Sequence, residues 1–317
     1  MSNTVAGLPR ATFRTRAEQI KQRLYEWHRQ DHEWLSALLF LLPNILGFLA
    51  FTAIPVLIAL ALTFYDWDLL LGAKFAGLDN FRRLLNDHTF RASFLNTLYF
   101  TTISVPLSVM LGLATALMVN KPLRGIAVFR AAFLLPYITV TVAVALVWRW
   151  LYLPDVGLIN NVLRLFRIQG PAWLTDPQWA MPAIILLSVW KTFGYNMVIF
   201  LAGLQAIPQH LYEAAMLDGA SRWQRFRYVT LPLLSPTTFF VVIISIIGSF
   251  QVFDQALVMT NGGPGTATTT LVLYIYQVGF QSFHMGYAAT IAWILFAAVF
   301  VFTLIQFRLQ RRWVTYE

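Results

Sequence analysis

The sequence predicts an all-α, polytopic membrane protein with six transmembrane helices and both termini in the cytoplasm. Three observations carry that prediction. Hydrophobic residues make up 58% of the 317 residues and charged residues only 12%, about half the charged share of a soluble domain. Six tracts contain no Asp, Glu, Lys or Arg, at 35–65, 92–120, 131–148, 192–212, 228–253 and 255–307. Lysine and arginine are also divided unevenly between the segments that separate those tracts. Such a balance excludes disorder, a coiled coil and a water-soluble globule. The absence of cysteine excludes disulfides, thiolate metal sites and cysteine nucleophiles.

Taken in order, residues 1–34 form a charged cytoplasmic segment. Within it, 16–34 read as a partly amphipathic helix on the inner membrane surface, with Trp27 and Trp34 as interface anchors. His28 and His32 stand at i and i+4, a spacing that can bind metal. No further ligand accompanies them, so a solvated face is the reading. The first span, near 36–64, begins too late and runs too long for a cleaved signal peptide. Further spans fall near 97–119, 130–152, 180–204, 232–255 and 285–307, so that 35–307 is one six-helix membrane domain and 308–317 a cytoplasmic tail. The tract from Gln255 is split by Thr260-Asn261-Gly262-Gly263-Pro264-Gly265, a loop sequence. Pro43, Pro55, Pro106, Pro136 and Pro182 lie inside spans, where neighbouring helices can re-satisfy the carbonyls they free.

Six positive residues precede the first span (Arg10, Arg14, Arg16, Lys21, Arg23, Arg29) and hold that end inside. With six spans, the inner segments carry 15 Lys and Arg and the outer loops seven, while the outer loop 256–284 carries none. The net charge of +9 is therefore mostly membrane topology and not a nucleic-acid surface. There is no Gly-x-x-x-x-Gly-Lys-Ser/Thr, Gly-x-Ser-x-Gly or His-Glu-x-x-His sequence, and the spans hold no clustered carboxylates or histidines. The absence of these motifs excludes a P-loop nucleotide site, a hydrolase elbow and a zinc protease. Carriers driven by ion gradients usually place several ionisable groups at mid-membrane, and here only Lys191 sits there.

The inner segment 205–231 is the most informative. Pro208 starts a short helix through Glu213, Ala214 and Ala215, and Asp218-Gly219 ends it with glycine in a left-handed cap. Ser221 with Gln224 makes a capping box for a second short helix, and Leu231-Pro232 opens the fifth span. Small Ala214 and Ala215 permit close approach by a partner, and an amphipathic connector would look the same.

Glu213-Ala214-Ala215-x-x-x-Gly219, then nine residues, then Val229-x-Leu231-Pro232 resembles the EAA loop of permease subunits in binding-protein-dependent ABC importers. Ile is more usual where Val229 stands. The resemblance runs from about Leu41 to Arg312. Phe64-x-Asp66-Trp67, Gly77-Leu78-x-Asn80-Phe81, Leu135-Pro136-Tyr137, Ala206-Ile207-Pro208 and Asn261-Gly262-Gly263-Pro264-Gly265 resemble the carbohydrate-importing branch, with its maltose, glycerol-phosphate and multiple-sugar systems. The resemblance implies a permease of the bacterial cytoplasmic (inner) membrane, not itself an enzyme, moving a sugar or sugar derivative inward by alternating access. It implies that Glu213, Ala214, Ala215, Asp218 and Gly219 form a coupling helix docked on a separate ATPase. It also implies two ATPase subunits that bind ATP and Mg, a second and usually different permease, and an extracytoplasmic sugar-binding protein. No cofactor or metal is expected in this chain. A self-contained secondary carrier or facilitator for a small polar solute is the alternative, in which 205–231 is only a connector.

Sugars are held by hydrogen bonds and by stacking on aromatic faces, so a mid-membrane cavity should mix both. Trp190-Lys191-Thr192-Phe193-Gly194-Tyr195-Asn196 and Ser249-Phe250-Gln251-Val252-Phe253-Asp254 have that mixture, as does Tyr137 with Thr141, four apart on one helix face. By resemblance to a maltose-type permease, sugar-contacting positions map to Tyr137, Thr141, Ser188, Trp190, Lys191, Thr192 and Tyr195. Asn196, Ser249, Phe250, Gln251 and Asp254 complete the candidates. Trp190 and Tyr195 would serve bundle packing equally well, and Ser249 close helix packing. Lys191 replaces an apolar residue of the resembling permease. Three uses are open to it: contact with substrate, a pair with Asp254, or snorkelling to the interface.

Overall fold

The structure, a computed structural model, describes residues 34, 37–68, 72–122, 124–311 and 314. The expected surface helix at 16–34 (Trp34 apart) and the end of the tail lie outside the described residues. Two compact units are distinguished, Met1–Ala61 and Leu62–Glu317. In the first, helix α1 (Ala37–Leu62, its last residue crossing the boundary) is long and apolar enough to cross a membrane, and one π-helical turn at Leu49–Ala53 interrupts it.

The second unit begins with a two-stranded antiparallel hairpin, β1 (Tyr65–Asp68) and β2 (Gly72–Phe75), in which Tyr65 faces Phe75. Helix α2 (Asp79–Asn86) leads into α3 (His88–Val119). Then come α4 (Ile126–Ile138), α5 (Thr141–Leu151), α6 (Leu158–Leu165) and α7 (Pro177–Ala206). Short α8 (Gln209–Leu217) precedes α9 (Arg222–Leu233), α10 (Ser235–Phe250) and α11 (Asp254–Thr260). Helices α12 (Leu271–Gln281) and α13 (Met285–Gln310) complete it.

Among the described residues four helices are long and apolar enough to span, and the pairs α4–α5 and α9–α10 raise the total to six if each is one bent span. The pairs differ from the straight spans expected at 130–152 and 232–255. The first bends by 95° between Ile138 and Thr141, and the second by 64° at Leu234. Pro136 lies inside α4, where its missing N–H and its ring weaken the last turn. Helix α10 also stops at Phe250, five residues early, and the chain turns at Gln251–Phe253 before α11 starts at Asp254. The hairpin and α2, α6, α11 and α12 occupy segments expected only as loops.

The core lies between α3 and α7. Helix α7 is buried along most of its length, whereas α13 is buried only from Gly286 to Ile291. Small residues set the approach distances, as expected where lipid removes the hydrophobic drive between helices. A Cβ on Gly112 of α3 would sit 2.6 Å from the Asn196 Cβ of α7, and one on Gly194 would sit 1.8 Å from the Phe133 carbonyl oxygen of α4. Polar ties also hold the span ends. Asp87 caps α3, accepting from the backbone N–H of Thr89 (2.8 Å) and Phe90 (3.1 Å). Its other oxygen accepts the hydroxyls of Tyr274 and Tyr287. Burial alone would raise the Asp87 carboxyl; the two tyrosine hydroxyls and the two N–H groups outweigh it and hold the group below its ordinary value. The 261–270 loop is clipped to α3 by Asn96, whose amide donates to the Thr266 and Thr269 carbonyls, and by Thr97, whose hydroxyl accepts from Leu271 N–H.

Candidate functional site

Two places matter, and the first is a cavity of about 600 Å³ bounded by α3, α4, α7, α10 and the turn into α11. Eight of the expected residues line it: Tyr137, Ser188, Thr192, Tyr195, Asn196, Ser249, Gln251 and Asp254. On α7 the lining positions 188, 192, 195 and 196 recur at helical spacing, so one face of that helix forms a wall. The rings of Tyr137 and Tyr195 stack with centroids 4.4 Å apart and planes 13° from parallel. Ser188 and Thr192 donate back to the carbonyls four residues earlier, each at 2.8 Å, which leaves their oxygens free to accept. The Asn196 amide reaches Ser108 Oγ at 3.4 Å. Ser249 Oγ lies 2.9 Å from Thr101 Oγ1 and 2.8 Å from the Ile246 carbonyl. Asp254 is the one charged side chain on the wall among the described residues.

Four expected residues stand elsewhere. Phe250 is fully buried and packs against Phe302, centroids 5.3 Å apart. Trp190 packs against Trp148 at 5.4 Å and is off the wall. Thr141 lies beyond the 95° break, which corrects the expectation that it shares a helix face with Tyr137. Lys191 is 6% exposed and off the cavity wall. Its ammonium donates to the backbone carbonyls of Pro136 (3.2 Å), Tyr137 (3.1 Å) and Thr139 (2.8 Å). This geometry differs from substrate contact, a hydrogen-bonded pair with Asp254 and snorkelling alike.

Sequence reasoning missed the contribution of α3. Phe100, Ser104, Val105 and Ser108 line the cavity, with Ile244, Ser245 and Gly248 from α10 and Val252, Phe253 and Gln255 beyond it. A signal existed in Thr97, Thr101, Ser104 and Ser108, spaced four, three and four along an apolar helix. All four are buried, so they form one polar stripe turned inward.

The second place is the 205–231 loop. Helix α8 ends in a Schellman cap: Gly219 has φ +76°, its N–H donates to Met216 O, and Ala220 N–H donates to Ala215 O. The capping box is complete, with Ser221 N–H on Gln224 Oε1 (2.7 Å) and Gln224 N–H on Ser221 Oγ (3.3 Å). Tyr212 Oη and Thr230 Oγ1, 3.1 Å apart, tie α8 to α9. Glu213, Ala214, Asp218 and Gly219 are exposed and Ala215 is half-buried. Beside them Leu217, Trp223 and Tyr228 are 90%, 69% and 73% exposed. So large an exposed apolar surface on a rigidly capped loop fits a protein partner.

Bundled apolar helices around a polar, aromatic cavity define a multi-pass membrane protein of the transporter class. Residues 108–315 match the family described as binding-protein-dependent transport system inner membrane component, and the chain belongs to that family. It is 40% identical to a probable ABC transporter permease protein, YesP, of Bacillus subtilis strain 168, over 91% of this chain and 94% of that one. It is 38% identical to the lactose transport system permease protein LacF of Rhizobium radiobacter, over 86% and 93%. Among solved structures it resembles a bacterial ABC transporter involved in the import of the acidic polysaccharide alginate, with a TM-score of 0.79 and 27% identity over 91% of this chain and 99% of that one. Among the described residues no group of His, Asp or Glu is arranged to hold a metal ion.

Proposed function

We propose that this chain is a non-catalytic permease subunit that moves a sugar or sugar derivative inward by alternating access, driven by separate ATPase subunits that bind ATP and Mg. The observation that carries this reading is the cavity, where a stacked tyrosine pair stands beside hydroxyl and amide groups. That is the combination sugar rings and hydroxyls require. The names of relatives support it: lactose, trehalose/maltose and sn-glycerol-3-phosphate permeases. An alginate transporter solved with a pentasaccharide-bound periplasmic protein supports an extracytoplasmic binding protein as partner. In this reading the 35–307 domain spans the membrane with 1–34, 205–231 and 308–317 in the cytoplasm, and a second, different permease completes the pathway. Glu213, Ala214, Ala215, Asp218 and Gly219 dock the ATPase, and the rigid caps of α8 and α9 let that contact push the fifth span.

Reconstitution of the chain with its partner permease, ATPases and binding protein in proteoliposomes tests this. Glu213→Ala and Gly219→Ala should cut uptake at least tenfold while assembled complexes still hydrolyse ATP. Normal uptake by both variants overturns the coupling role. Equal uptake by the purified chain without the ATPases would establish a self-contained carrier instead.

A further inference from the structure

The break in the third span is closed by a side chain from the fourth. In a continuous helix the carbonyls of Pro136, Tyr137 and Thr139 would each accept from an N–H four residues on. The 95° turn removes those backbone donors, and only the Pro136 carbonyl has a local substitute, the Thr139 hydroxyl that donates to it at 2.6 Å. The Lys191 ammonium has three protons and faces these three oxygens at 2.8–3.2 Å. The negative end of the α4 dipole faces the same charge. A buried ammonium is tolerated only when so saturated.

Further ties run along the same stretch of α7. Phe193 meets Phe133 edge to face at 5.9 Å, and Gly194 lets the Phe133 carbonyl approach closer than any Cβ would allow. Tyr195, one turn from Lys191, stacks on Tyr137, whose ring the ammonium also approaches at 5.9 Å. The residue whose carbonyl Lys191 holds is therefore the residue that presents its ring to the cavity.

We propose that Lys191 is a positioning residue for substrate: it fixes the broken end of α4, keeps Tyr137 stacked on Tyr195 at the cavity wall, and makes no contact with the sugar itself. This rests on the carbohydrate reading above. Lys191→Met keeps the length of the side chain and removes its donors.

The test uses the reconstituted complex with lactose, maltose and trehalose as probes, following whichever most stimulates ATP hydrolysis. Lys191→Met should raise the half-saturating sugar concentration about tenfold, the size of one lost hydrogen-bonded contact, with turnover at saturation within about twofold. Lys191→Arg should restore it to within about threefold, since a guanidinium also donates to carbonyls. In a Tyr137→Ala background Lys191→Met should add nothing. An unchanged half-saturating concentration in Lys191→Met overturns the proposal, as does a full additive effect in the Tyr137→Ala background, which would mean direct contact. A second measurement needs no sugar. The chain lacks cysteine, so spin labels at Val128→Cys on α4 and Val147→Cys on α5, both exposed, report the bend. Lys191→Met should broaden their distance distribution, and an unaltered distribution overturns the anchor. If no probe stimulates the wild-type complex, the carbohydrate reading falls while the label distances still decide the anchor. Should Lys191→Met not assemble, Lys191→Leu, which likewise has no donor, takes its place in both arms.

Discussion

Asp87 and Lys191 perform the same task at opposite helix ends. Asp87 puts a negative charge on the N-terminus of α3, and Lys191 puts a positive charge on the C-terminus of α4. Each sign opposes the local end of the helix dipole, and each is saturated. Asp87 accepts two backbone N–H groups and two tyrosine hydroxyls, and Lys191 donates to three carbonyls. The difference is distance along the chain. The backbone bonds of Asp87 are two and three residues away, whereas those of Lys191 are 52 to 55 away. A cap built from neighbours forms with its helix, but one built across the bundle forms only when α7 has docked.

The comparison can be broken most severely by reversing the distant charge. Lys191→Glu would aim a carboxylate at three carbonyls, and no assembled complex is expected in detergent-extracted membranes by size-exclusion chromatography. Gly194→Ala comes next, because its methyl would have to displace the Phe133 carbonyl. A loss of about 3 kcal/mol is expected from such overpacking, read as a lowered Tm of the purified complex. Asp87→Ala should cost about 2 kcal/mol in the same measurement, from a lost cap and two orphaned tyrosine hydroxyls. Tyr274→Phe should cost less, about 1 kcal/mol, because the cap and the Tyr287 bond survive.

The smallest effect is in pH. The folded-state pKa of Asp87 is depressed, so its contribution is present above the unfolded value of about 4 and is lost as pH falls through the folded value. The Tm difference between wild type and Asp87→Asn should therefore be constant from pH 7 to about 5 and narrow below about 4. A difference that persists undiminished at pH 3 would remove the carboxylate from the account.

The same local-versus-distant rule decides how much could be read before folding. Charge-free tracts need only their own residues, so the apolar spans were legible. So were the caps of the 205–231 loop, since Ser221 and Gln224, or Asp218 and Gly219, are neighbours. The bend after Ile138 was not legible, because Pro136 by itself permits a mild kink and the feature that completes a sharp one is Lys191. Half of the cavity was visible as Tyr195, Asn196 and the Ser249–Asp254 segment. Ser104 and Ser108 were not, since serine in an apolar helix also marks close packing. Thr141 was misplaced for the same reason as the bend: i, i+4 geometry presumes an unbroken helix.

Among the polar ties at the Lys191 anchor, the receiving side consists entirely of peptide oxygens. Side-chain substitutions at Pro136, Tyr137 or Thr139 leave those oxygens in place, so codon changes there cannot delete the acceptors. For these three hydrogen bonds, therefore, a single codon, the one encoding position 191, can delete the donor, whereas no codon on the α4 side can delete an acceptor.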